Sequence, residues 1–315
     1  MPAASRPLVS VVIPTYNRPA YLRSAVRSVL DQTYDAVELL VVDDCSPTPA
    51  KPVVDEMETE SLAHVRVIRH EENRGGSAAR TTGIRAAAGE YLAFLDDDDE
   101  WLPTKLEKQV AVLEERPDVG FVYTGTQIVG DDGERLETVT PDANGNLTKT
   151  LLCYNVVGTF SQVMVRRDLV EEVGTPDNRF PCWQDLEWYV RLSRHCSAAA
   201  IREPLIRYQV ESPGRITDDV DDAVVAHRLF VEKFDPLARE YGRLFGRKMR
   251  AWAAFRVGRL LVMHGEFDRA RPLLASAVRL YPFEPSFTKF LLPTLGGQRA
   301  YHLIRAAKRR VGDAA

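Results

Sequence analysis

The 315-residue sequence holds only four cysteines, Cys45, Cys153, Cys182 and Cys196, and no two of them form a Cys-x-x-Cys pair. That spacing excludes a zinc knuckle and a dithiol redox motif. The thiols are read as reduced, in a cytoplasmic protein. No apolar run reaches the roughly 18 residues needed to cross a bilayer. No basic segment with a long apolar core opens the chain, so a signal peptide is not expected either. Charge of one sign is also scarce. A net charge of −4 gives no basic surface for nucleic acid and none of the extreme acidity of a halophilic surface. The rest is ordinary for a globular protein, 45% hydrophobic and 27% charged, and long enough for one large domain or two smaller ones.

Against that even background stands one run, Asp96-Asp97-Asp98-Asp99-Glu100, followed by Trp101. It comes directly after Tyr91-Leu92-Ala93-Phe94-Leu95, an apolar run read as a buried strand. Adjacent acidic side chains at a strand end repel one another and cost stability unless something positive sits among them. A divalent metal holding a diphosphate meets that need, because Mg²⁺ and Mn²⁺ prefer hard oxygen ligands. The alternative is a solvated acidic turn in which Asp99 and Glu100 cap a following helix.

The pattern elsewhere is that of an α/β sheet. Leu8–Pro14, Val37–Val42 and Val65–Ile68 read as buried strands. Tyr21–Gln32, with Leu22, Val26, Val29 and Leu30 on one face, reads as a helix, as does the glycine-entered Gly75–Ala88. Alternation of this kind predicts a parallel sheet covered on both faces, with ligands collecting beyond the carboxyl ends of the strands. Thr15-Tyr16-Asn17, Asp43-Asp44 and Asp96–Asp99 all fall at that edge. Further along, Val119–Thr124 and Ser161–Val165 read as strands, Asp131–Glu134 as a hairpin tip, and Arg167–Val173 and Trp183–His195 as helices. The sheet region is expected to end near residue 215. Beyond it the chain is helical. Gly258, Leu261, Gly265, Ala270, Leu274, Ala277 and Pro282 have the spacing of one tetratricopeptide-like hairpin, which needs a neighbour to bury its face. The stretch 298–310 sets Tyr301, Leu303 and Ile304 among Arg299, Arg305, Lys308, Arg309 and Arg310, the composition of a basic amphipathic helix able to lie on anionic lipid or simply on the protein surface.

Five motifs in order then carry a resemblance. They are Val11-Val12-Ile13-Pro14-Thr15-Tyr16-Asn17-Arg18; Val41-Val42-Asp43-Asp44-Cys45-Ser46; Asn73-Arg74-Gly75-Gly76-Ser77-Ala78-Ala79-Arg80 with Gly83-Ile84; the acidic run with Trp101-Leu102-Pro103; and Gln184-Asp185-Leu186-Glu187 with Arg191-Leu192. Over residues 8–215 the chain resembles the family 2 glycosyltransferases, inverting sugar transferases with the GT-A fold. The resemblance implies a Rossmann-like mixed sheet over residues 1–215 and a helical C-terminal appendage over 216–315. It implies transfer of a sugar from a nucleotide-sugar, most commonly a UDP-sugar, to a hydroxyl of a polysaccharide or lipid-linked glycan, with Mn²⁺ or Mg²⁺ as cofactor.

The residue roles follow from the same resemblance. The turn Pro14-Thr15-Tyr16-Asn17 meets the nucleoside, with Tyr16 offering an aromatic face to the base. Asp44 accepts hydrogen bonds from base or ribose, since a carboxylate only accepts. Arg80 reaches a phosphate or braces the acidic loop; Thr81 stands where the family usually has Asn. Asp98 is the metal ligand, Asp96 meets the ribose or a metal-bound water, and Asp97 holds the variable position of the Asp-x-Asp pattern. Asp185 is the general base, with Gln184 where the family has Glu. Trp183 and Gln184 are placed toward the acceptor, and Trp188 in the core. Glu211 stands near a position where relatives often carry His. The competing expectation is a non-catalytic nucleotide-sugar-binding scaffold whose helical hairpin recruits partners. A nucleotidyltransferase is disfavoured, because Pro14–Asn17 is not the glycine-rich basic loop such an enzyme carries after its first strand.

Overall fold

The computed structural model describes residues 6–130, 133–209 and 219–296. By its internal contacts the chain divides into two units. The first comprises the segment up to Leu151, Asn155–Arg179 and the segment that starts at Gln184. The second comprises Leu152–Tyr154, Phe180–Trp183 and the C-terminal helices. The boundary expected near residue 215 lies outside the described residues.

The first unit opens with β1 (Val9–Thr15), α1 (Pro19–Leu30), β2 (Val37–Asp43), α2 (Lys51–Asp55), β3 (His64–Arg69), α3 (Gly76–Ala86) and β4 (Tyr91–Phe94). Every residue of β1, β2 and β4 is buried, as expected of strands covered on both faces. Pro19 at the first turn of α1 supplies the helical φ without wasting a donor. Gly83 lets α3 lie on β1: a Cβ there would stand 2.3 Å from a methyl of Val12. There follow β5 (Asp99–Trp101), α4 (Lys105–Glu115), β6 (Val119–Val129), β7 (Arg135–Val139), α5 (Thr148–Cys153), a 3₁₀ turn at Phe160–Gln162, β8 (Val163–Arg166), α6 (Arg167–Val173), α7 (Gln184–Leu192) and β9 (Ser197–Gln209).

Among the described residues the strands form one sheet in the order β3-β2-β1-β4-β8-β6-β9-β5, with β7 paired to β6. β1 to β4 are mutually parallel, but β8 runs antiparallel between β4 and β6, and β5 antiparallel on β9. The sheet is thus mixed, as the resemblance implies, rather than parallel throughout as the strand–helix alternation alone suggests. The strand expected from Ser161 begins at Val163, after the 3₁₀ turn, and the helix expected over 183–195 spans Gln184–Leu192.

A second correction concerns the acidic run. Asp99 and Glu100 do not cap a helix. They form β5, with Asp99 opposite Tyr208 and Glu100 opposite Arg207. Leu102 precedes a proline and is thereby biased away from helical φ/ψ. The helix therefore waits until Lys105, with Thr104 at its N-cap position.

In the second unit α8 (Val220–Glu240), α9 (Arg243–Met263), α10 (Phe267–Leu280) and α11 (Pro285–Leu295) follow one another. α9 and α10 pack against each other. Gly265 takes the left-handed conformation at the turn, with φ of 80°. Gly258 packs so closely on α10 that a Cβ would sit 2.8 Å from Leu274. Asp219 caps α8 by accepting from the N–H groups of Asp221 and Asp222. Among the described residues no helix is long and apolar enough to cross a membrane. The basic stretch 298–310 lies outside the described residues.

Candidate active site

Parallel pairing brings the first motifs together. Thr15 lies opposite Asp43 in the β1–β2 register, and Val12 opposite Phe94 in the β1–β4 register. The three strands therefore release Tyr16, Asp44 and the acidic run at one edge. Thr15 donates its hydroxyl to Asp97 at 2.7 Å. Arg18 Nη1 bridges two carboxylates, Asp97 at 3.2 Å and Asp98 at 3.0 Å. Burial pushes the Asp97 carboxyl up to about 6; the Thr15 hydrogen bond and Arg18 oppose that rise, and Asp98 and Asp96 add to it.

Next to this, Asn17 and Cys45 both adopt left-handed backbone, with φ of 54° and 66°. Such residues are uncommon and cluster at functional loops. The Asn17 N–H donates to Ser46 Oγ at 2.9 Å, which ties the loop after β1 to the loop after β2. Pro14 is buried in β1, and Tyr16 is 46% exposed at the rim.

Both aspartates that end β2 brace loops. Asp43 accepts from the N–H groups of Ser46 and Ala50 and from Arg69. Asp44 accepts from the N–H groups of Arg74 at 2.9 Å and Gly75 at 2.7 Å, and lies 2.7 Å from His70 Nδ1. His70 Nε2 in turn meets Thr82 Oγ1 at 2.8 Å. The glycine-rich loop, with Gly75 at φ of 84°, is thus held at the start of α3 by Asp44.

Arg80 is the hub between the acidic run and the proposed base. It is buried on α3, pairs with Asp96, donates to Gln184 Oε1 at 3.3 Å, and lies over the Phe160 ring with its guanidinium carbon 4.3 Å from the centroid. Asp96 is held from behind by its own N–H, which donates to Ser161 Oγ at 3.0 Å. Asp185 lies in the first turn of α7 and accepts from Asn155 Nδ2 at 3.0 Å. Burial raises the proton affinity of the Asp185 carboxyl; the Leu186 N–H, Arg80 and Asn155 counter that rise, while Asp96 adds to it. A carboxylate with raised proton affinity, close to a cation and a second carboxylate, is equipped to take a proton.

Glu187 and Arg191 anchor the helix that carries Asp185. Glu187 is fully buried and receives two bonds from Arg191, 2.6 Å from Nε and 3.1 Å from Nη2. Arg191 also donates to the carbonyls of Val173 and Thr175, both at 2.7 Å. Trp188 is in the core, edge-on to Phe94 and hydrogen-bonded to the Gly174 carbonyl at 2.8 Å. Trp183 belongs to the helical unit, where its ring lies edge-on to Phe230 and under Arg256, 4.6 Å from the guanidinium carbon. Glu211 lies outside the described residues.

Arg18, His70, Asn155 and Phe160 enter the network without a sequence-based role. Arg18 was visible within the first motif. The other three carry no local signal, because only the fold sets them beside Asp97, Asp44, Asp185 and Arg80.

The acidic run suits a hard divalent cation in donor type and charge: it offers carboxylate oxygens only, and the crowding of Asp96 and Asp98 around Asp97 is relieved by added positive charge. Among the described residues no three His, Cys, Asp or Glu side chains form a ready ligand set. The protein would therefore supply one or two ligands, with phosphate and water oxygens completing the shell, as is usual for Mg²⁺ at phosphate sites.

Comparison with known proteins gives concordant results. The family described as "Glycosyl transferase family 2" matches residues 10–174, just over half of the chain. A Bacillus subtilis protein named as a teichuronic acid biosynthesis glycosyltransferase, TuaG, is 33% identical over 206 residues, 65% of this chain and 80% of that one. An uncharacterized glycosyltransferase of Haemophilus influenzae is 29% identical over 63% of this chain and 67% of its own. Among solved structures, S. aureus TarS 1–349 in complex with UDP-GlcNAc superposes with a TM-score of 0.59 at 17% identity, covering 87% of this chain and 89% of that one. The Pyrobaculum calidifontis mannosyltransferase PcManGT, in complex with GDP-Man and Mn²⁺, gives 0.56 at 19% identity over 98% and 88%. The chain belongs to glycosyl transferase family 2: it is a glycosyltransferase with the GT-A fold.

Proposed function

We propose that this glycosyltransferase is metal-dependent and inverting, and that it moves a sugar from a nucleotide-sugar, a UDP-sugar in the first instance, to a hydroxyl of a polysaccharide or lipid-linked glycan. The observation that carries the proposal is Asp185: a carboxyl of raised proton affinity, joined through Gln184 and Arg80 to Asp96 of the acidic run. UDP-GlcNAc in TarS, and GDP-Man with Mn²⁺ in PcManGT, support the donor class and the metal. The naming of TuaG as a teichuronic acid biosynthesis glycosyltransferase supports a glycan acceptor.

In the proposed reaction Tyr16, Asn17 and the loops braced by Asp44 receive the nucleoside. Asp98 would hold the metal, with Asp96 and Asp97 beside it; the ion, when bound, neutralises charge developing on the departing diphosphate. Asp185 takes the proton of the acceptor hydroxyl as that oxygen attacks the anomeric carbon. The new C–O bond forms opposite the breaking bond to the phosphate oxygen, the nucleoside diphosphate leaves, and the configuration inverts. Asn155 and the Leu186 N–H hold Asp185 in position. Gln184, next to Asp185 on α7, is proposed toward the acceptor. Peripheral contact with the cytoplasmic membrane face through 298–310 would suit a lipid-linked acceptor.

Two variants test the reading. Asp185→Asn is nearly isosteric. It should keep donor affinity and lose transfer by roughly the 10²–10⁴-fold typical of removing a general base. Asp98→Ala should abolish Mn²⁺-dependent UDP binding in calorimetry while the fold is retained. Near-normal turnover in Asp185→Asn moves the base elsewhere; unchanged metal-dependent affinity in Asp98→Ala removes the metal assignment. Retained anomeric configuration in the product, read by NMR, rejects inversion.

A further inference from the structure

The acidic run is already in contact with two arginines, and they are not equivalent. Arg80 is locked: its side chain is 8% exposed, packed on Phe160, and shared between Asp96 and Gln184. Arg18 lies at the rim, its side chain 19% exposed, with one nitrogen between Asp97 and Asp98. Its backbone is the N-cap position of α1 in a non-helical conformation (φ −132°, ψ 58°), and its carbonyl accepts from the Leu22 N–H at 2.9 Å. The backbone is therefore fixed, and the side chain, unlike that of Arg80, is partly exposed.

We infer that Arg18 is the resident counter-cation of the acidic run, holding Asp97 and Asp98 until a divalent metal displaces it, and that it thereby couples metal entry to arrival of the nucleoside diphosphate. This rests on the metal-dependent reading above. A guanidinium cannot shed its charge in the physiological range. A bare divalent ion approaching Asp98 must repel Arg18 and take its partner carboxylates at the same time. An ion arriving with a diphosphate brings negative oxygens to which the displaced fork can turn, and guanidinium pairs well with phosphate. The same residue thus penalises metal alone and tolerates metal with nucleotide. That is a coupling free energy between two ligands, and it must appear reciprocally in both affinities.

The test measures Mn²⁺ binding to the full chain by the EPR signal of free Mn²⁺, with and without UDP or GDP, alongside thermal melts that check folding. The wild type should bind Mn²⁺ weakly alone and more tightly with nucleotide. Arg18→Gln should tighten binding of Mn²⁺ alone by roughly tenfold or more, the scale expected from removing a unit charge a few ångströms from a divalent ion in a partly solvated site. It should also shrink the enhancement by nucleotide. Arg18→Lys keeps the charge and should stay close to wild type for Mn²⁺ alone, so a tightening in Gln but not Lys identifies the charge itself. If Arg18→Gln binds Mn²⁺ alone no better than wild type, while wild type still shows nucleotide-dependent binding that Asp98→Ala loses, this inference falls and the metal reading stands. If no form binds Mn²⁺ even with UDP or GDP, the metal reading falls and takes the inference with it.

Discussion

Replacing Arg191 by methionine should destabilise the sheet unit more than any surface charge could, and the size follows from what the guanidinium holds. Glu187 has no exposed side-chain surface, and Arg191 grips it with two bonds. Removing one partner of a buried ion pair costs about 3–5 kcal/mol, because the other charge is left in a low-dielectric interior. The carbonyls of Val173 and Thr175 lose their donor as well, at up to about 1 kcal/mol each where water does not replace it. The Arg191 side chain is 18% exposed, so some water enters; a total of about 4 kcal/mol is expected. For a domain of this size each kcal/mol moves the melting temperature by about 2–4 °C, which predicts a fall of about 8–16 °C. Circular dichroism melts of wild type, Arg191→Met and Arg191→Lys measure it. Lysine restores charge without the fork and should recover part of the loss. The double variant Glu187→Gln/Arg191→Met should melt above Arg191→Met, since the stranded charge is gone. A melt of Arg191→Met within about 3 °C of wild type would refute the reasoning.

Two other outcomes follow from packing and burial. Gly83→Ala would normally strengthen an exposed helix interior by about 1 kcal/mol, but the new methyl would stand 2.3 Å from Val12 of the buried strand β1. The variant should therefore lose roughly 1–3 kcal/mol in denaturant titrations, and any gain in stability contradicts the close approach of α3 to the sheet. Among the described residues His227 in α8 has a buried Nε2 without a hydrogen-bond partner, and burial, then Arg256, lowers its pKa from 6.5 to about 4. Between those values the unfolded chain binds more protons than the folded one, so stability rises with pH across the window and is lost as pH falls from about 6.5 to about 4. The loss should be on the order of 2–3 kcal/mol. His227→Gln should flatten this part of the pH–stability curve, and an unchanged slope would show that another group titrates there.

The sheet was legible where local signals and burial agree. The β-branched runs that became β1 and β2 are buried at every position, and the α9–α10 hairpin follows from small residues, Gly258 among them, that allow close helix approach. At Asp99 and Glu100 the capping alternative fails, although acidic residues before a helix are a real capping signal. What overrode it was a pairing with Ile206–Tyr208, more than a hundred residues away, which no local pattern encodes. The site shows the same limit. Motifs named Asp44, Arg80, Asp96, Asp98 and Asp185, but not the contacts between them. That Asp44 grips the glycine-rich loop, that Thr15 bonds Asp97, and that Asn155 holds Asp185 are consequences of strand register and loop closure.

Gln184 shows how those contacts change the chemistry. A Glu at position 184, the residue the family resemblance implies, would put a second carboxylate beside Asp185 and raise its proton affinity by like-charge repulsion. A neutral amide cannot do that, and from the sequence the substitution reads as a loss. In the folded chain the rise comes first from burial, and the amide oxygen has another use: it accepts from Arg80 without neutralising it. Arg80 keeps its charge for Asp96, and that pair is close to neutral as a unit. Arg80 and Asp96 therefore act on Asp185 in opposite directions. A Glu at position 184 would compete with Asp96 for Arg80 and add a negative charge next to Asp185. The Gln keeps Arg80 on the acidic run, so the protonation of Asp185 is set first by burial and then by the Leu186 N–H, by Arg80 and Asp96 acting in opposite directions, and by Asn155.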